Sequence, residues 1–168
     1  MIQDSIEKAL IGQIKVEGFS SNQYLAMASW CEVQGFVGAA QFLYMHSDEE
    51  RMHMLKLFKF VNERGGHARL EVLDLPKSDF TSLLEIFEEL LAHEVRVSSA
   101  INDLVGQTLE AKDYTTHNFL QWYVSEQIEE EALARTILDK LKLIGNDKGG
   151  LYLFDNYLEE LSSQDLSQ

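Results

Sequence analysis

Two spacings in this chain repeat each other. Glu17 lies 33 residues before Glu50, and Glu94 lies 33 before Gln127. Each second partner opens an i,i+3 step, Glu50 to His53 and Gln127 to Glu130, so the second constellation is the first displaced by 77 positions. Residues three apart share one face of a helix. One carboxylate from each of two helices and an inward i,i+3 pair from each of two others is the ligand plan of a two-metal site inside a four-helix bundle. Glu17, Glu50, Glu94 and Glu130 supply four negative charges, which two divalent cations neutralise. His53 adds a nitrogen. An oxygen-rich set with one imidazole and no thiolate suits iron or manganese and tolerates zinc.

Glu50 is the natural bridge, because its helix also carries His53 and its second oxygen can reach the other metal. That second position is left to Glu94 and Glu130, with Gln127 as a neutral hydrogen-bonding neighbour, and should hold its metal more weakly. Glu49 and Glu126 are also 77 apart. With Glu129 they form a carboxylate cluster one helical step away, which reads either as a third metal position or as a solvated acidic run. Tyr24 lies two turns after Glu17 on the same face. It could donate to a metal ligand, supply an electron to oxygen, or be a core tyrosine with a satisfied hydroxyl. His46 reads as a filler of its stripe, His67 falls in a long connection, and His93 and His117 read as off the inward face. None of these four is assigned a ligand role.

Four long helices must position these groups. Apolar periodicity places them at about 4–34, 38–65, 82–111 and 115–144, with a short fifth near 150–161. Gly35 and Gly38 punctuate the first junction, Gly65 and Gly66 end the second helix, and Gly145 with Asn146 closes the fourth. Ser82 or Thr81 can cap the third helix, and Glu85 completes a capping box with Ser82. The stripe Gln13, Val16, Glu17, Ser20, Tyr24, Ala28 and Cys31 runs inward on the first helix. Comparable stripes on the other three are likewise interrupted by acidic groups near mid-length. Burying one unpaired carboxylate costs roughly several kcal/mol, so four converging with no lysine or arginine on their stripes demand a cation.

The first and second helices, and the third and fourth, are joined by short links and should form antiparallel hairpins. The link from about Gly66 to Thr81 carries the only proline, Pro76, and is long enough to run the length of the bundle. The tail from Ser162 to Gln168 is polar and expected to fray.

At 168 residues, 45% of them hydrophobic, with 10 Gly and one Pro, the chain is expected to be one all-α domain over 1–168. A formal charge of −14 repels nucleic acid and anionic lipid and draws cations to the surface. The opening segment carries Asp4 and Glu7 and is not a targeting peptide, and no run is long enough to span a membrane, so a soluble cytoplasmic protein is expected. Cys31 is the only cysteine, which excludes an intrachain disulfide and any cysteine-built metal site.

The strings YLAMASWCEVQGFVGAAQFL, HSDEERMHMLKLF, HE at 93–94, NFLQWYVSEQIEEEALARTILDKL and GLYLFDNYLEEL together resemble the non-haem bacterial ferritins over essentially the whole chain. The resemblance implies a ferritin-like four-helix bundle with one long crossover. It implies a ferroxidase that oxidises Fe(II) with dioxygen or peroxide and stores ferric mineral in a hollow 24-subunit shell. By position, Glu17, Glu50 and His53 would hold the first iron, and Glu50, Glu94 and Glu130 the second. The third iron falls on Glu49, Glu126, Glu129 and Glu130. Tyr24 and Gln127 match residues that support the site in that family. Haem-containing relatives place a methionine directly after the bridging glutamate, where this chain has Arg51, so no haem is expected. Mini-ferritins build their iron site between subunits and lack a fifth helix, whereas all ligands here lie in one chain. Leu151, Phe154, Leu158 and Leu161 give the last helix an apolar stripe expected to pack in an assembly contact, with folding back on its own bundle as the other option. A di-iron oxidase of an organic substrate and a non-catalytic cage subunit are the alternative functions. The first usually carries a second Glu-x-x-His pair, where this chain has Gln127 to Glu130.

Overall fold

The computed structural model describes residues 1–165. The amphipathic segments form five helices: α1 (Asp4–Val33), α2 (Val37–Glu63), α3 (Leu83–Glu110), α4 (Tyr114–Ile144) and α5 (Lys148–Asp165). The first four match the expected spans within two residues at each end. The fifth is longer than expected. It continues past Leu161, with the Ser162 hydroxyl donating to the Leu158 carbonyl, instead of fraying from Ser162. Residues 166–168 of the expected frayed tail lie outside the described residues.

Local chemistry sets the helix ends. α2 stops at Gly65, whose φ of +80° is left-handed and favours glycine. α3 stops instead through Lys112 at φ +56°, an exit that no glycine in the sequence announces. At the start of α3 the Ser82 hydroxyl accepts from the Glu85 N–H, as the capping box requires. The return bond departs from the simple box, since the Glu85 carboxylate accepts from the backbone N–H and hydroxyl of Thr81.

α1 and α2 pack as an antiparallel pair: the Ile2 N–H meets the Arg64 carbonyl at one end, and the Tyr44 hydroxyl meets Glu32 near the other. α3 packs with α4, and α1 with α3. The connection from 64 to 82 climbs alongside α1. The His67 N–H is held by Glu7, Leu73 lies against Gly18, and Lys77 exchanges two backbone bonds with the Gln23 amide. At the top, Phe80 meets Trp30 edge to face. The crossover therefore spans the bundle, as its length suggested, and α3 starts at the end where α1 finishes.

α5 folds back on the same chain. Phe154 and Leu158 are buried against α2 and α4, with Leu151 and Leu161 packed around them. This corrects the expectation that the stripe packs in an assembly contact; the face left exposed carries Tyr152 and Leu153. α2 has no capping side chain of its own at Phe36. Asp155 of α5 supplies the cap, accepting from the Gly38 and Ala39 N–H groups at 3.0 and 2.8 Å. A carboxylate at a helix N-terminus is favoured both by those unpaired donors and by the helix dipole.

The interior is divided. One apolar cluster, including Tyr24, Met27, Phe42, Phe87 and Ile137, fills the α5 end, and another, including Ile6, Leu10, Leu57, Ile101 and Tyr123, fills the opposite end. A buried polar layer lies between them.

Candidate metal centre

Each of the four bundle helices contributes to that layer. Glu17 on α1, Glu50 and His53 on α2, Glu94 on α3, and Gln127 and Glu130 on α4 are all at most 9% exposed. Glu17, Glu50 and His53 bring one donor atom each within 4.8 Å of one another. His53 Nδ1 stands 3.9 Å from Glu17 Oε2 and 3.8 Å from Glu50 Oε2, too far to hydrogen-bond and close enough to share an ion. Those same two oxygens are buried with no hydrogen-bond partner. Orphaned buried carboxylate oxygens facing an imidazole nitrogen fit a cation of the iron, manganese or zinc class.

The electrostatics agree. Burial pushes the Glu50 carboxyl well above its ordinary range, and repulsion from Glu17 and Glu94 adds to it. Burial also raises Glu17, against the hydrogen bonds that it makes. Glu94 is pushed up to about 7, chiefly by burial. Without a cation these groups resist ionising, so metal binding releases protons. Glu130 goes the other way. Burial works to raise it, but the facing His46 and then His53 outweigh that and hold it below the usual carboxylate range.

Glu94 is anchored by neighbours on α1 and α4. The Tyr24 hydroxyl donates to its Oε1, and Gln127 Nε2 donates to its Oε2 at 3.0 Å and also reaches Ser98. Each carboxylate oxygen keeps a second lone pair for a metal. Tyr24→Phe should therefore weaken the binding of a divalent cation at this centre by about tenfold, the lower range for losing a hydrogen bond to a ligand. A calorimetric zinc titration measures it, and an unchanged affinity would reduce Tyr24 to a packing residue.

The expected outer carboxylates separate into two groups. Glu49 and Glu126 gather with His53, while Glu49 also gathers with His46 and Glu130. Glu129 is exposed and belongs to neither group. A cleft of about 840 Å³ beside His53 is lined by Glu49, Glu126, Asp48, Lys56, Lys59 and Trp122, among others. The Lys56 ammonium lies 3.6 Å over the Trp122 ring, and that ring meets His53 edge to face at 5.2 Å.

Three supporting groups had gone unassigned. Gln13 Nε2 donates to Glu17 Oε1 at 2.8 Å, from one turn earlier on the same face. His93 is buried, not off the inward face, with Nε2 2.7 Å from the Ser20 hydroxyl. Burial lowers its pKa to about 4. His46 is buried and faces Glu130 at 3.6 Å. Its position four residues before Glu50, hence on the same face, was the available signal.

The ferritin-like domain family matches residues 7–144. A non-heme ferritin-like protein of Haemophilus influenzae is 47% identical over 164 residues, covering 98% of this chain and 99% of that protein. The bacterial non-heme ferritin of Campylobacter jejuni is 46% identical over 162 residues, covering 96% and 97%. Among solved structures, an open pore ferritin from Archaeoglobus fulgidus superposes with a TM-score of 0.93 at 43% identity, covering 95% of this chain and 98% of that one.

Proposed function

This chain belongs to the ferritin family, and from that premise we propose which of its residues handle iron and in what assembly. It is an iron-storage ferroxidase. Two Fe(II) ions each give up one electron, and one dioxygen takes up both together with two protons. Iron here is substrate and cargo.

Glu17, Glu50 and His53 hold the first Fe(II), and Glu50, Glu94 and Glu130 hold the second. Tyr24 and Gln127 orient Glu94 between them. The observation that carries this assignment is the pair of orphaned buried oxygens, Glu17 Oε2 and Glu50 Oε2, opposite His53 Nδ1. The asymmetry of the repeat supports turnover: one iron has an imidazole, while the other rests among carboxylates and leaves more readily. Ferric product moves past Glu49 and Glu126 into the cleft beside His53, where those two carboxylates and Asp48 share the walls with Lys56, Lys59 and Trp122. The whole chain acts as one domain of a cytoplasmic 24-subunit shell, with mineral held inside. No helix among the described residues is long and apolar enough to cross a membrane.

Aerobic Fe(II) added to the metal-free protein should give ferric absorbance that keeps rising far beyond two irons per chain, with electron microscopy showing hollow particles with dense centres. A plateau at two irons would overturn storage, and isolated bundles would overturn the shell.

A further inference from the structure

We propose that His93 is a positioning residue for the second metal: its hydrogen bond to Ser20 sets where α3 lies against α1, and so where Glu94 stands; this rests on the assignment of Glu94 to that metal given above.

α1 and α3 are not neighbours in the chain, since α2 and the crossover lie between them. Two side-chain hydrogen bonds tie them together at the level of the centre. Glu17, Ser20 and Tyr24 follow one another at i, i+3 and i+7, so they share one face of α1. On α3 the facing residues are His93 and Glu94. His93 Nε2 lies 2.7 Å from the Ser20 hydroxyl, and the Tyr24 hydroxyl donates to Glu94 Oε1. The two bonds close a circuit, because one helix carries both Ser20 and Tyr24 and the other carries both His93 and Glu94.

The hydrogen in the first bond has a definite place. The Ser20 hydroxyl donates to the Val16 carbonyl at 3.0 Å. A hydroxyl has one hydrogen and a carbonyl only accepts, so Ser20 Oγ accepts from His93, whose Nε2 carries the proton. The ring itself is held in a slot. Phe19 packs against it with centroids 5.8 Å apart, and the Tyr24 ring meets it edge to face, also at 5.8 Å. Three residues of α1 thus hold one imidazole of α3, and both bonded partners are buried. Removing one partner of a buried pair costs more than the bond is worth in water, because nothing replaces it.

Tyr24 alone would leave Glu94 attached to α1 through a single bond, about which the carboxylate and α3 can turn. The Ser20 bond removes that freedom, one residue from Glu94 on α3 and one turn from Glu17 on α1. The first metal is built differently. Glu17, Glu50 and His53 come from α1 and α2, which are joined by reciprocal bonds from the Ser21 and Ser47 hydroxyls to each other's carbonyls at 2.7 Å. That joint does not pass through His93, so the first metal is independent of it and the second is not.

Cobalt(II), added without oxygen to the metal-free protein, is the probe, since its visible bands report both the ions bound and their ligands. Glu94→Gln marks which step of the titration belongs to the second metal. His93→Phe, which keeps a ring between Phe19 and Tyr24, and Ser20→Ala should each weaken that step by about tenfold and leave the first step unchanged. His93→Gln, which returns an N–H donor to Ser20, should restore it. The double variant of His93→Phe with Ser20→Ala should be no weaker than either single one, as for two partners of one bond. A His93→Phe titration identical to wild type, equal weakening of both steps, or a His93→Gln as weak as His93→Phe would overturn the proposal while leaving the centre standing. If Glu94→Gln binds cobalt as wild type does, the assignment of Glu94 falls and the proposal with it. Where His93→Phe folds poorly, Ser20→Ala and His93→Gln decide the matter by themselves.

Discussion

Replacing Glu50 with glutamine will make the metal-free protein more stable and the enzyme nearly inactive. Burial, then repulsion from Glu17 and Glu94, hold the Glu50 carboxyl well above its ordinary pKa of 4.5, and its Oε2 has no partner. A carboxyl whose pKa is raised on folding stabilises the fold most below its unfolded pKa, and that contribution is lost as pH rises through the folded value. Glutamine fills nearly the same volume and cannot ionise. The melting temperature of Glu50→Gln should therefore match wild type near pH 4.5 and exceed it increasingly toward pH 8. A relief of about 1–3 kcal/mol corresponds to several degrees, at roughly 2–4 °C per kcal/mol for a chain of this size. Glu94→Gln should show the same trend, with its gap opening between pH 4.5 and about 7.

Activity moves the opposite way. Glutamine cannot bridge two irons as an anion, and the initial oxidation rate should fall by at least about 100-fold, the upper range for losing even a residue that only supports a ligand. Zinc at a hundred times its dissociation constant should raise wild-type stability by about 2.7 kcal/mol and the variant's by less. Calorimetry across pH 5 to 8 tests this. A variant no more stable than wild type at pH 8 would mean that the carboxylates are not strained against one another.

Gly38→Ala should detach the fifth helix. A Cβ built on Gly38 would lie 1.9 Å from the Asp155 carbonyl oxygen and 2.8 Å from its carbon, both backbone atoms of α5 that cannot swing aside. Relieving the clash moves α5 off α2, breaks the Asp155 bonds to Gly38 and Ala39, and uncovers Phe154 and Leu158. Overpacking alone costs about 1–3 kcal/mol, and a lost cap adds about 1 kcal/mol. The variant should melt roughly 5–15 °C lower by calorimetry. Asp155→Asn, which keeps an oxygen for capping, should cost far less. Equal damage from both would place the effect in the cap, and an unchanged Gly38→Ala would show that α5 docks loosely.

Most of the centre could be read from residue spacing because a helix has a fixed period. Glu17, Glu50, His53, Glu94, Gln127 and Glu130 interrupt apolar stripes near mid-length, and any rotation that buried the stripes had to bury them too. His93 escaped this logic. It neighbours Glu94 at the edge of its stripe, and its burial depends on how closely α1 approaches α3, where Ser20 meets it. Glu129, adjacent to a buried carboxylate in sequence, is exposed.

By itself the sequence determined the four helices, the crossover and the level at which the carboxylates converge, since each follows from local periodicity, helix length and link length. Tertiary structure alone decided that α5 covers its own bundle and lends Asp155 to α2. It also decided that His46 faces Glu130 and that Glu49 faces two ligand groups at once. Those outcomes depend on distances between residues far apart in the chain, down to the missing Cβ of Gly38, and no repeat along one helix encodes them.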